Sequence, residues 1–206
     1  MSDERRGNAP RPRKPSPAER REQRATSDDP ADVLDAAARF LEARPRSEDE
    51  VRRKLLRLGY RAGMVEDALA KLLTVGYLDD EAFARAWVES RDRARPRGEN
   101  ALRRELGQKG VERSLVDAVL HDRRKDARSD EDDRATSPDE AAAARLLAKK
   151  LGPILRVTDP RRRLQRAYAL LARNGFAPDV CSTVAKRALA ASAEAAADEL
   201  GAEADA

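Results

Sequence analysis

The sequence predicts an all-α protein: three tandem three-helix units forming an elongated, curved modular body, preceded by a disordered N-terminal tail. Three observations predict it. Ala, Leu, Glu and Arg dominate, and these are good helix formers. No segment alternates apolar and polar residues as a strand does. A Leu followed four residues on by Gly, and then by an apolar residue, occurs three times: Leu55-Gly59-Tyr60, Leu106-Gly110-Val111 and Leu171-Gly175-Phe176. In each copy the Gly closes a helix in the left-handed conformation and the next side chain plugs back onto it. Five or six residues past each Gly, an aliphatic pair or near-pair (Met64-Val65, Leu115-Val116, Val180-Cys181) opens the following helix. Units that touch mainly their neighbours stack into a curved body.

The elements follow in order. Residues 1–30 hold five prolines among charges and no apolar cluster, so disorder is expected there. In the first unit, residues 31–77, Val33, Ala37, Phe40 and Leu41 share the face of a helix over Ala31–Glu42. Ser47 and Glu50 form a capping box for a second helix with Val51, Leu55 and Leu58, closed by Gly59. A third helix carries Val65, Ala68, Leu69, Leu72 and Leu73 and stops at Gly76. The second unit, residues 78–125, repeats the plan with Phe83, Ala84, Trp87 and Val88, then Leu102 and Leu106, then Leu115, Val116, Val119 and Leu120. Residues 126–136 read as an acidic linker. In the third unit, residues 137–190, Ser137, Pro138 and Glu140 start a helix with Leu146, Leu147 and Leu151. Asp159-Pro160 starts the next, with Leu164, Ala167, Tyr168 and Leu171, and the last has Val180, Cys181, Val184 and Leu189. Residues 191–206 read as an acidic tail. Tyr60, Tyr77, Tyr168 and Phe176 are expected as core or plug residues.

Composition narrows the function classes. No apolar run approaches the ~20 residues of a membrane span, and the polar, Pro-rich N-terminus does not read as a signal peptide. Cys181 is the single cysteine, so no internal disulfide is possible, and a reducing cytoplasm is expected. Residues 141–190 carry 11 Lys/Arg against 2 Asp/Glu, between two acidic segments. Such a local positive excess attracts polyanions, nucleic acid first.

The stretch Val75–Arg91 places Asp79 and Asp80 side by side before Phe83. Either carboxylate can cap the first N–H groups of a helix, with Glu81 favouring its dipole. A metal or acid/base site would need converging ligands. The chain offers one His, His121, and no paired Cys, Gly-rich phosphate loop or Ser/His/Asp arrangement. The cap outweighs the metal, and neither catalytic residues, a metal nor a cofactor is expected. Cys181 sits at a core position and reads as a buried small hydrophobe.

The segments "RPRSEDEVRRKLLRLGY", "VGYLDDEAFARAWVESR" and "RGENALRRELGQKGV" resemble the RecX family of RecA regulators. The likeness rests on Arg44-x-x-Ser47-x-x-Glu50-Val51, on Gly76-Tyr77-Leu78-Asp79-Asp80-x-x-Phe83-Ala84 and on Glu105-Leu106-x-x-Lys109-Gly110-Val111. "LLARNGFAPDVCSTV" is similar to the family's closing Arg-x-Gly-Phe element. The resemblance spans residues 33 to 190. It implies a non-enzymatic protein that binds the RecA filament along its groove on DNA and limits strand exchange, ATP hydrolysis and coprotease activity; a monomer is expected. Contact with single- or double-stranded DNA would be weak and through phosphates.

Candidate contact residues are the exposed cations. Arg91, Arg93, Arg95 and Arg97 follow the Phe83–Val88 stripe. Arg91 also prolongs that stripe, so an internal ion pair with Asp79 or Asp80 is the competing reading. Arg103 and Arg104 are placed on the exposed side of their helix. Arg161, Arg162 and Arg163 occupy a helix's first turn, with Arg166 one turn on and Lys149 and Lys150 extending the patch. Cations there oppose the helix dipole by about 0.3–1 kcal/mol each, which a bound anion would offset. A solvated Arg run that prevents aggregation is the bland alternative. Two other functions stay open: direct DNA binding without RecA, and an enzyme built on Asp79 and Asp80.

Overall fold

The computed structural model describes residues 13, 16–126 and 136–204. All its regular elements are helices: α1 (Pro17–Thr26), α2 (Pro30–Glu42), α3 (Glu48–Leu58), α4 (Ala62–Thr74), α5 (Asp80–Ala94), α6 (Glu99–Gln108), α7 (Arg113–Asp126), α8 (Pro138–Ala148), α9 (Leu151–Leu155), α10 (Pro160–Arg173) and α11 (Pro178–Ala204). The acidic segment expected as a linker lies mostly outside the described residues.

The chain divides into two compact units, and the division falls within α3. The N-terminal unit holds α1, α2, α4 and α3 from Val51 onward. Its core is built from Val33 and Ala37 of α2, Val51 and Leu55 of α3, and Val65, Leu69 and Leu72 of α4, all buried. The Tyr60 hydroxyl donates to the Asp32 carbonyl at 3.1 Å. The C-terminal unit takes Arg46–Glu50 and everything from Leu78. It contains two apolar clusters. One joins Phe83, Ala84 and Val88 to Leu102, Leu106, Val116 and Leu120. The other joins Ala143, Leu147 and Ile154 to Leu171, Phe176, Cys181 and Val184.

The three recurrent glycines do what their spacing predicts. Gly59, Gly110 and Gly175 have φ of 104°, 80° and 84°, where an L side chain is strained. The following residue's N–H then closes back on the leucine: Tyr60 on Leu55, Val111 on Leu106 and Phe176 on Leu171. This is the six-to-one bond of a Schellman motif. Tyr60, Val111 and Phe176 are buried behind it.

The structure corrects the sequence reading at five places. Within the segment expected to be disordered, Pro17–Thr26 is helical. The Ser16 side chain accepts from the Glu19 N–H, Glu19 accepts from the Ser16 N–H, and Pro17 sits in the first turn. The third group has four helices rather than three, because α8 stops at Ala148. Continued as helix, Pro153 would lack its N–H and its ring would press on the carbonyl four residues back, so the chain restarts as the short α9. The tail expected after residue 190 is helix as far as Ala204, where Ala-rich sequence sustains α11 by propensity. Tyr77 follows Gly76 and closes the same backbone bond, on Leu72 at 2.9 Å, yet its ring is 71 % exposed and Leu78 is the buried residue. Tyr168 is also partly exposed, one position off the Ala167–Leu171 face of α10.

Candidate basic groove

The two adjacent carboxylates cap two different helices. Asp79 accepts from the Ala82 N–H at 2.9 Å and caps its own α5. Asp80 accepts from the Glu48 N–H at 2.8 Å, at the first residue of α3. The second role is invisible in sequence, because the partner lies 32 residues away. Burial holds the Asp80 carboxyl above the usual carboxylate range, and the bond from Glu48 pulls the other way. Among the described residues no group of three or more His, Cys, Asp or Glu could hold a metal ion.

This geometry predicts a contrast. Asp80→Ala strands the Glu48 N–H and should cost about 1 kcal/mol, whereas Asp80→Asn keeps an acceptor and should cost less. Because the folded state disfavours the Asp80 charge, this group's contribution is greatest in acid and falls as pH rises through its raised value. Denaturant titrations from acid to neutral pH should show that decline vanish in Asp80→Asn.

The cations selected from sequence fall into two classes. Arg91 does pair internally, but with Glu105 at 2.7 Å rather than with Asp79 or Asp80. Its guanidinium lies 4.1 Å from the centre of the Trp87 ring, whose indole N–H donates to the same carboxylate. Arg97 reaches Glu105 at 3.4 Å and bonds the Asn174 side chain. Arg103 bridges Glu99 at 2.9 Å and Asp117 at 3.0 Å. These three hold helices together. Arg93, Arg95 and Arg104 are exposed.

Arg123, absent from the candidates chosen by sequence, is the centre of a largely buried network. Its guanidinium meets Asp92 at 2.9 Å and Asp139 at 2.7 Å. Asp139 also accepts from the Glu99 N–H at 3.0 Å, the first residue of α6. Burial by itself would lower the Arg123 pKa, but the two carboxylates outweigh it and raise it. Aspartates on α5 and α8 thus converge on one α7 arginine.

Four exposed cations lie along α9 and α10. A groove of about 630 Å³ has Lys150, Arg162, Arg166 and Arg173 around an apolar floor that includes Ile154 and Leu170. Spacings of four and seven residues put the three arginines on one face of α10. Arg162 lies 3.6 Å from Asp159, and both are well exposed, so that pair is worth little. Arg161 and Lys149 are exposed beside the groove. Arg163 turns away and donates to the carbonyls of Val157 at 2.9 Å and Thr158 at 3.4 Å. The arginine-rich first turn is therefore relieved in part by Asp159, which accepts from the Arg161 N–H at 2.9 Å, and by the Arg163 bonds. Sequence reading includes Arg173 only in the Arg173-x-Gly175-Phe176 element; its spacing from Arg162 and Arg166 is the signal that adds it.

Cys181 is fully buried, and its thiol donates to the Phe176 carbonyl at 3.5 Å. Burial, and secondarily Asp179, pushes the thiol pKa up, which suits a core residue. Among the described residues no helix is long and apolar enough to cross a membrane.

Residues 34–72 match the family profile described as RecX, first three-helix domain, and residues 79–120 match RecX, second three-helix domain. The chain is 33 % identical over 151 residues to the regulatory protein RecX of Streptomyces coelicolor, covering 73 % of this chain and 74 % of that one. It is 34 % identical over 144 residues to the regulatory protein RecX of Chlorobium phaeobacteroides, covering 70 % and 85 %. The crystal structure of RecX from Lactobacillus salivarius has the same fold, with a TM-score of 0.65 over 78 % of this chain and 96 % of that one at 19 % identity. A second RecX crystal structure gives 0.63 at 26 % identity, over 78 % and 73 %.

Proposed function

The chain belongs to the RecX family of regulatory proteins, and from that premise we propose that it binds the RecA–DNA filament and restrains it, with the α9–α10 groove as the contact. The observation that carries the groove is its charge. Lys150, Arg162, Arg166 and Arg173 line it with no carboxylate among the described lining residues, and the exposed Asp159 lies 3.6 Å from Arg162. Guanidinium forks suit phosphate or carboxylate oxygens, and the apolar floor gives a protein or nucleotide surface something to cover. Arg161, Lys149, Arg93, Arg95 and Arg104 add a sequence-independent attraction to polyanions. Arg91, Arg97 and Arg103 contribute by keeping helices in place.

On this reading the role is binding, without bond chemistry, and the engagement of Asp79 and Asp80 at helix ends supports it. In this proposal residues 31–77, 78–125 and 137–190 are three helical modules. A second reading, direct DNA binding without RecA, is favoured by the same four cations, because phosphates alone would satisfy them.

The two readings separate in a single comparison at physiological salt. Titrated against fluorescent single-stranded DNA, the protein should bind the RecA-coated strand about tenfold or more tightly than the bare strand. Equal affinity for the two would move the assignment to plain DNA binding.

A further inference from the structure

The glycine turns that close α3, α6 and α10 share more than backbone conformation. Each presents a face without a side chain, and each face is covered by a helix from earlier in the chain. A Cβ added to Gly110 would collide with Asp49 in the first turn of α3. One added to Gly175 would collide with Ala101 in the first turn of α6. One added to Gly59 would collide with the backbone and Cγ of Arg21, in α1.

The hydrogen bonds follow the same rule. In each turn the carbonyl just before the glycine accepts from the covering segment. Lys109 accepts from the Ser47 hydroxyl at 2.5 Å. Asn174 accepts from the Gly98 N–H at 3.1 Å. Leu58 accepts from the Arg24 guanidinium at 3.5 Å. α1 and α3 also open with the same Ser-x-x-Glu box, Ser16/Glu19 and Ser47/Glu50.

We propose that the Gly59 turn is a helix-docking face, of the kind seen at Gly110 and Gly175, and that α1 fills it in cis as a removable cap. At the other two turns the covering helix comes from the helix set before it. For Gly59 the described chain offers α1 in that place. The cap is light: α1 buries no side chain. It is held by the Arg24 bond, by Arg24 over the Tyr60 ring at 5.7 Å, and through Arg61, which donates to the Ser27 carbonyl at 3.2 Å. Elements with so few buried contacts open first. The face beneath fits the side of a polar, arginine-bearing helix, and α1 supplies one.

The test is amide hydrogen exchange on the full chain, with Gln23→Pro as the variant. Proline there removes an N–H in mid-α1 and breaks that helix without touching the core. Exchange at Gly59 and Tyr60 should rise about tenfold or more. Gly110 and Val111, whose turn is covered by α3, should keep their wild-type rates. Unchanged exchange at Gly59 and Tyr60 would overturn the proposal. An equal rise at both turns would overturn it too, since α1 would then act on global stability and not on one face.

Discussion

Arg123→Ala should be among the most damaging single substitutions in the C-terminal unit, costing about 3–5 kcal/mol. The side chain is 8 % exposed, and its partners Asp139 and Asp92 are 13 % and 25 % exposed. Removing the cation leaves two carboxylates turned toward each other in a poorly solvated space, and that uncompensated charge is the main cost. The loss would spread along the network, because Asp139 also holds the first N–H of α6. Next to that N–H, Gly98 packs so closely on the Gly175 backbone that a Cβ on Gly98 would clash with it. A urea denaturation midpoint measures the effect. Adding Asp92→Asn and Asp139→Asn to Arg123→Ala should recover part of it, whereas a cost from lost packing alone would persist.

Replacing Lys150, Arg162, Arg166 and Arg173 together by Ser should have the second largest effect, on binding instead of stability. All four are exposed, so each change should move stability by no more than about 0.5 kcal/mol. Four fewer cations against a polyanion should cost about ten- to a hundredfold in affinity for RecA-coated DNA near physiological salt. Changing Arg91, Arg97 and Arg103 instead should lower stability. Each of them already satisfies Glu105, Glu99 or Asp117 within the fold.

Much of the fold was legible because its signals are local. The Leu-to-Gly spacing set the ends of α3, α6 and α10, and the Ser47 and Ser137 boxes set the starts of α3 and α8. What escaped depends on through-space partners or on helix propensity without an apolar stripe. Nothing in the run Pro17–Thr26 marks a buried face, since α1 has none, and residues 193–198 of α11 are likewise exposed. The third group's extra helix was readable in Gly152-Pro153 but hidden by the leucines around it. In the candidate site, charge clustering located Lys150, Arg162 and Arg166. Spacing alone could not show that Arg163 bonds to carbonyls, that Arg91 belongs to Glu105, or that Arg123 draws together Asp92 and Asp139.

The central claim is that the α9–α10 groove makes the electrostatic contact with a nucleoprotein filament. It is tested most directly by the salt dependence of binding to RecA-coated single strands, measured for the native chain and the four-Ser variant side by side. The native protein should bind more tightly at low salt and lose affinity more steeply as salt rises, so that the two lines converge. Superimposed lines of equal slope would contradict the claim and leave the groove without a part in recognition.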